Sequence, residues 1–256
     1  MRIYHWFRVS LLLALILFVT GCTSARGYNF FDSVYRAGTD PMTWGNALLA
    51  GVIVATDSDE RISKAAVENN YLFGSVKEAG EASDDWRANT RMSMHLSTLL
   101  VASDYSASGP LEFFERKALR ALGNNLNAGF VATTTGDIQL ATKKARPNGG
   151  CCGFPSAHTS RAFATALIAR RNYQQSILHP GIHNTLTLAT YLSAYATGWA
   201  RVESQAHYPS QVLWGAVYGN FVSSLIYDMT NSIEPNLFTF FYLSSDEMMV
   251  TFNYQF

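Results

Sequence analysis

The chain is poor in charge: only 15% of its 256 residues are Asp, Glu, Lys or Arg, and 19 basic side chains cancel 19 acidic ones. No net field favours nucleic acid or an anionic membrane surface as a partner. Cysteine is scarcer still. Three residues cannot supply a disulfide framework, and two of them, Cys151 and Cys152, are neighbours that a disulfide joins only with backbone strain. An oxidising compartment permits that bond, but the pair is read as free thiols. Long apolar runs are also missing beyond the N-terminus. Thr, Ser, Tyr and Asn interrupt the two most apolar segments, Thr185 to Trp199 and Val212 to Tyr227, so neither reaches the unbroken apolar length of a spanning helix.

What is present begins with an export signal. Arg2, His5 and Arg8 precede an apolar run from Val9 to Val19, and small residues follow it, which is the pattern of a cleaved leader over residues 1–21. Val19-Thr20-Gly21-Cys22 resembles a bacterial lipobox. That resemblance implies diacylglycerol on the Cys22 thiol and cleavage just before it. Thr23, in place of an acidic residue, then favours the outer membrane, with the protein facing the periplasm. Residues 22–40, rich in small and polar side chains, read as the lipidated tether.

The rest reads as an all-α domain over residues 41–233, with a β-hairpin at 234–256. Thr39-Asp40-Pro41 offers capping side chains and a first-turn proline, which predicts a helix through Trp44 to Thr56. Met92, Leu96, Leu99 and Leu100 share one face of a helix expected over about 84–103, and Leu111, Phe114, Leu119 and Leu122 do the same after Pro110. Gly123-Asn124-Asn125 is expected to break the latter helix. Gly149 to Gly153 is a loop, and further helices are expected over Ser156 to Arg171, Thr185 to Trp199 and Val212 to Tyr227. Near the end Met248, Val250, Phe252, Tyr254 and Phe256 alternate with period two. This is read as a hairpin packed on the helical domain or touching the outer membrane.

Three short segments carry chemistry: Lys143-Lys144-Ala145-Arg146-Pro147, Phe154-Pro155-Ser156-Ala157-His158, and Arg201 with His207 six positions later. Planar guanidinium groups on Arg146 and Arg201 suit the oxygens of a phosphate. Ser156 and the N–H groups of the following helix start, at Ala157 and beyond, add donors where the helix dipole favours an anion. A neutral imidazole can attack phosphorus and carry the phosphoryl group as a covalent intermediate.

In order and spacing the set resembles the type 2 phosphatidic acid phosphatase superfamily, whose pattern is K-x6-R-P, then P-S-G-H, then S-R-x5-H-x3-D. The resemblance covers about residues 139 to 220. It implies the helical fold shared with vanadium haloperoxidases and a reaction needing neither metal nor cofactor. By the same resemblance His207 is the nucleophile and His158 the acid that protonates the leaving oxygen and later activates water. Arg146, Ser156, Ala157 and Arg201 hold the phosphate.

Four positions depart from the pattern. Gln139 stands at the family lysine, with Lys143 or Lys144 as the nearest substitute cation. Ala157 replaces glycine and Ala200 replaces serine. Gln211 stands where an aspartate orients the nucleophile; its amide can fix the imidazole but supplies no charge, and Glu203 is the alternative carboxylate. The leading expectation is hydrolysis of a lipid phosphate, isoprenoid pyrophosphate or small phosphoester beside the membrane that holds the N-terminal lipid. A non-catalytic phosphate-binding or envelope-interaction protein is the second reading. Vanadate-dependent halide oxidation is disfavoured by the missing lysine.

Overall fold

The computed structural model describes residues 30–231, 237–243 and 248–254. Eight α-helices lie in them: α1 (Phe30–Thr39), α2 (Pro41–Ala55), α3 (Asp59–Asn69), α4 (Val76–Leu99), α5 (Pro110–Thr142), α6 (Ala157–Gln174), α7 (Pro180–Glu203) and α8 (Pro209–Asn231). A short 3₁₀ turn, Ala102–Ser106, separates α4 from α5. Two compact units result: residues 35–227 make one, and residues 30–34, 228–231, 237–243 and 248–254 fall in the other. In the second unit Leu237–Leu243 (β1) pairs antiparallel with Met248–Tyr254 (β2), Phe240 opposite Thr251. The leader, Cys22 and the residues joining the two strands lie outside the described residues.

In the larger unit α4, α6 and α7 pack on one another, and α5 lies against α6. The capping expected before Pro41 is present, with the Asp40 carboxylate accepting from the Met42 N–H at 2.9 Å. Asp40 does more than cap α2. It is ion-paired with Arg170 of α6 and accepts from Asn220 of α8 at 3.1 Å, while the Tyr191 hydroxyl of α7 donates to Asn220 at 2.8 Å. One polar network thereby joins four helices.

Small residues let the helices close. A Cβ at Gly219 would lie 2.1 Å from the Ser160 carbonyl oxygen, and one at Gly215 would lie 2.7 Å from that of Ser156. Glycine at both positions lets α8 rest against the start of α6, where Ser156 and His158 stand. Around them pack Ala162, Ala166, Ala194 and Ala216 with the rings of Phe163 and Tyr191.

That interior overturns the apolar stripes expected from periodicity. Met92, Leu96 and Leu99 are exposed, as are Leu111, Phe114, Leu119 and Leu122, while α4 buries Ser83, Thr90, Met94, Ser97 and Thr98. The large alkyl side chains occur at helical spacing, but small and hydroxylated residues on the opposite face allow the close approach, so that face turns inward. The break expected at Gly123 is also absent. α5 runs through it because Asn124 donates to the Thr98 hydroxyl at 2.9 Å and Asn127 to the Ser223 carbonyl at 3.0 Å. These bonds offset the roughly 1 kcal/mol that a mid-helix glycine costs.

Three smaller differences remain. Residues 30–39, expected within the tether, are helical, with Asp32 in the first turn and Arg36 in the last, both favourable to the helix dipole. α3 and the first two turns of α4 lack a strong apolar period and were not expected. Cys151 and Cys152 are joined by a disulfide; Cys152 takes a left-handed φ of 68°, and the surrounding glycines give the loop the freedom the bond requires. Among the described residues, no helix is long and apolar enough to cross a membrane.

Candidate active site

Four pieces of chain meet around Gly153. The loop before α6 supplies Arg146 and Ser156, the α6 start supplies His158, the α7 end supplies Arg201, and the turn into α8 supplies His207. His207 is 1% exposed, and its Nδ1 lies 2.7 Å from the Gly153 carbonyl oxygen. A carbonyl only accepts, so Nδ1 carries the hydrogen and Nε2 keeps its lone pair. That is the tautomer a nucleophile needs.

Arg201 is anchored at both ends. Its carbonyl accepts from the His207 N–H at 3.1 Å, and its guanidinium donates to the Ser83 hydroxyl at 3.2 Å. Ser83 is followed by Asp84, whose Oδ1 lies 3.1 Å from Nε2 of His158 and 2.7 Å from the Arg87 guanidinium. Arg146 donates to the Cys152 carbonyl at 3.4 Å, and a Cβ on Gly153 would come within 2.9 Å of its side chain and 2.6 Å of Gln211. Neither Arg146 nor Arg201 has a carboxylate partner among the described residues, and the buried Nε of each lacks a hydrogen-bond acceptor. Two half-buried guanidiniums with unused donors suit an anion.

Ser156 occupies the N-cap position of α6 but makes no capping bond. Its fully buried hydroxyl accepts from Thr159 at 3.0 Å, which leaves its own proton to donate. The first N–H groups of α6, beginning at Ala157, have no intrahelical acceptor.

The charges set the protonation of both histidines. Burial first, then the Arg201 guanidinium and more weakly Arg146, push His207 down to about 3, against the pull of the Gly153 carbonyl and the Gln211 amide. Burial, Arg201 and Arg87 push His158 down to about 4, and Asp84 only partly offsets them. For Asp84 itself burial opposes ionisation, but His158 and Arg87 outweigh it and hold the carboxyl below its ordinary value. Both rings are therefore neutral at pH 7, and a bound phosphate dianion would raise both.

This has a consequence for stability. His207 takes up its proton near 6.5 when unfolded and near 3 when folded, so its contribution is complete above pH 6.5 and is lost as pH falls through that window. Between pH 6.5 and 4.5 the wild-type protein is expected to lose about 2–3 kcal/mol more than His207→Gln, as read by urea unfolding in phosphate-free buffer. Parallel losses in the two proteins would contradict the buried neutral ring.

Several expected site residues stand elsewhere. Lys143 and Lys144 are exposed and approach no site side chain. Gln139, at the family lysine, donates to the Pro155 carbonyl at 2.7 Å and so braces the loop that carries Ser156. Glu203 is corrected from a candidate partner of His207 to a structural anchor: fully buried, it accepts from the N–H groups of Leu72 and Phe73 at 3.0 and 3.1 Å and from the Trp199 indole at 2.6 Å. Gln211 lies beside Gly153 but its two hydrogen bonds run to the Ala145 carbonyl, 2.8 Å, and from the Tyr208 N–H, 3.2 Å. It ties the Arg146 loop to the His207 turn, and with the Gly153 carbonyl, 2.7 Å from Nδ1, it acts to raise the proton affinity of the imidazole. Ser83, Asp84, Arg87 and Gly153 were not expected. The acid-base spacing of Asp84 and Arg87, three residues apart on a helix, was the one available signal.

The site brings paired arginines, paired histidines and a helix start together within a helical fold. The PAP2 superfamily profile matches residues 129–234, a segment that contains every residue of the expected motif. A solved structure described as the first transmembrane PAP2 type phosphatidylglycerolphosphate phosphatase from Bacillus subtilis is similar in fold. Its TM-score is 0.54 at 16% identity, covering 78% of this chain and 98% of that one. No curated protein matches the chain.

Proposed function

We propose that the protein is a phosphatase that hydrolyses a lipid phosphate, isoprenoid pyrophosphate or other phosphomonoester through a phosphohistidine on His207. The observation that carries this reading is the pair of half-buried arginines, each with a buried Nε that has no acceptor and neither in a salt bridge, beside a buried neutral imidazole whose Nδ1 is held by Gly153. Arg146 and Arg201 would clamp two phosphate oxygens, with Ser156 and the α6 N–H groups donating to the third. His207 Nε2 attacks phosphorus in line with the leaving oxygen, which takes the proton that His158 acquires when the phosphate dianion binds. Asp84 supports that protonated state, because its carboxylate accepts from the imidazolium. In the second step neutral His158 removes a proton from water, the water oxygen bonds to phosphorus, and the P–N bond breaks. Arg87, close enough to lower the proton affinity of both His158 and Arg201, supplies positive charge that Gln139 does not.

The lipid side of the proposal rests on two supports. One is the lipobox-like Cys22, which would anchor the protein to the outer membrane facing the periplasm, with the β1–β2 segment as a further contact. The other is the exposed apolar surface, including Trp44, Leu48, Leu49 and Val52 on one helix, since patches of this kind mark protein or membrane contact. The bonds that occupy Gln139 and Gln211 favour the second reading, a phosphate-binding protein without turnover.

One assay separates the two. Phosphate release by the purified chain is measured on phosphatidate, phosphatidylglycerol phosphate, an isoprenoid pyrophosphate and an aryl phosphate. Turnover of at least one, abolished by His207→Ala, is the expected result. Binding of phosphate without release from any of them would replace the enzyme by the binding protein.

A further inference from the structure

A second concentration of positive charge lies where α4 meets α6. Arg87 and Arg91 stand one turn apart on α4, and Arg161 follows His158 by one turn on α6. With Ala88 and Thr165 they line a shallow, solvent-open cleft. Arg87 is ion-paired with Asp84 at 2.7 Å, whereas Arg91 and Arg161 have no carboxylate partner among the described residues. The crowding is felt: burial first, then Arg87 and Arg91, lower the proton affinity of Arg161. Like charges gathered around an open cleft are unfavourable unless something of opposite sign offsets them.

The cleft adjoins the reaction pocket. One oxygen of Asp84 touches both the Arg87 guanidinium and the His158 imidazole, so the two sites are separated by a single carboxylate. We propose that Arg87, Arg91 and Arg161 form a second anion subsite, which holds a non-reacting phosphate group of the substrate while Arg146 and Arg201 hold the group transferred to His207. Three planar forks suit the several oxygens of a phosphate better than the single carboxylate Asp84 can satisfy. The buried Thr165 hydroxyl is used by Thr90 and the Arg161 carbonyl, so its part is to shape the floor. This inference rests on the phosphatase reading of the first pocket and narrows its substrate to one carrying two phosphates, as a diphosphate or as a phosphomonoester beside a phosphodiester.

Arg91 and Arg161 are exposed, so Arg91→Gln combined with Arg161→Gln changes charge without opening the core. The full chain and this double variant are compared on an alkyl diphosphate and the alkyl monophosphate of the same chain length. The ratio of kcat/KM for diphosphate over monophosphate is expected to fall about tenfold or more, chiefly through KM; an unchanged ratio overturns the subsite.

A binding measurement separates failure of this inference from failure of the phosphatase reading. In the His207→Ala background, pyrophosphate is expected to bind about tenfold more tightly than inorganic phosphate by calorimetry, an advantage lost with the two glutamines. If neither substrate is turned over but that advantage is present and lost as described, the phosphatase reading fails and the subsite stands. An advantage of equal size in both proteins overturns the subsite whatever the turnover. Two phosphate ions bound per chain, one of them lost in the double variant, would give the cleft to a separate ion and overturn its assignment to the substrate.

Discussion

His207→Ala is expected to lower kcat by about 10⁴-fold or more while changing the affinity for inorganic phosphate by only a few-fold. The reason is a division of labour in the site. Binding belongs to the Arg146 and Arg201 guanidiniums and the α6 start, which the substitution leaves in place, whereas the covalent step belongs to the imidazole alone. Steady-state kinetics with calorimetry checks both halves, and thermal unfolding must accompany them because His207 is buried and holds the Gly153 carbonyl. A variant that folds, binds phosphate and retains full turnover would remove the phosphohistidine from the mechanism.

Arg201→Ala is expected to act on both halves at once. Its guanidinium meets the phosphate in the ground state and stabilises the transferring group, so kcat/KM should fall by about 10²- to 10³-fold. It also lowers the proton affinity of both histidines, and without it both should titrate at higher pH. The acid limb of the pH–rate profile, where protonation of His207 silences the nucleophile, should therefore move upward. Arg201→Lys should recover that electrostatic part and little of the rate, because an ammonium cannot reproduce the two-pronged contact. Equal activity of the lysine variant and wild type would mean that charge alone, without the fork, accounts for Arg201.

The sequence carried the site more clearly than it carried the packing, and the reason lies in particular residues. Arg146, Ser156, His158, Arg201 and His207 fall in short segments whose spacing is set by local turns, so the order of residue types was enough to group them. The inward faces of the helices are a different matter. Met92, Leu96 and Leu99 make a better apolar stripe than Ser83, Thr90 and Thr98, yet the latter are buried. Periodicity reports that a helix has two faces; which one turns inward depends on how closely its neighbours approach. Gly215 and Gly219 set that approach for α8, and nothing in their local sequence announces the partner.

The second layer of the site was hidden for a related reason. Asp84 and Arg87 lie outside the segment that matches the superfamily, and Asp84 reaches His158 across 74 positions of chain. Gln211 has a donor as well as an acceptor: its donor is drawn to the Ala145 carbonyl, while its side chain also acts on the His207 imidazole. The carbonyl of Gly153 fills the acceptor role beside the imidazole, and only a backbone position could reveal that.

The central claim is that a phosphoryl group passes through Nε2 of His207, and trapping it is the most direct test. In His158→Ala the residue proposed to activate water is gone, so the second step slows more than the first for a substrate whose leaving group needs no protonation, such as an activated aryl phosphate. Rapid quenching into base and peptide mass analysis should then find one phosphoryl group on the peptide carrying His207, stable in base and lost in acid. A folded protein that releases phosphate while His207 stays unmodified, or that carries the group on another residue, would contradict the account.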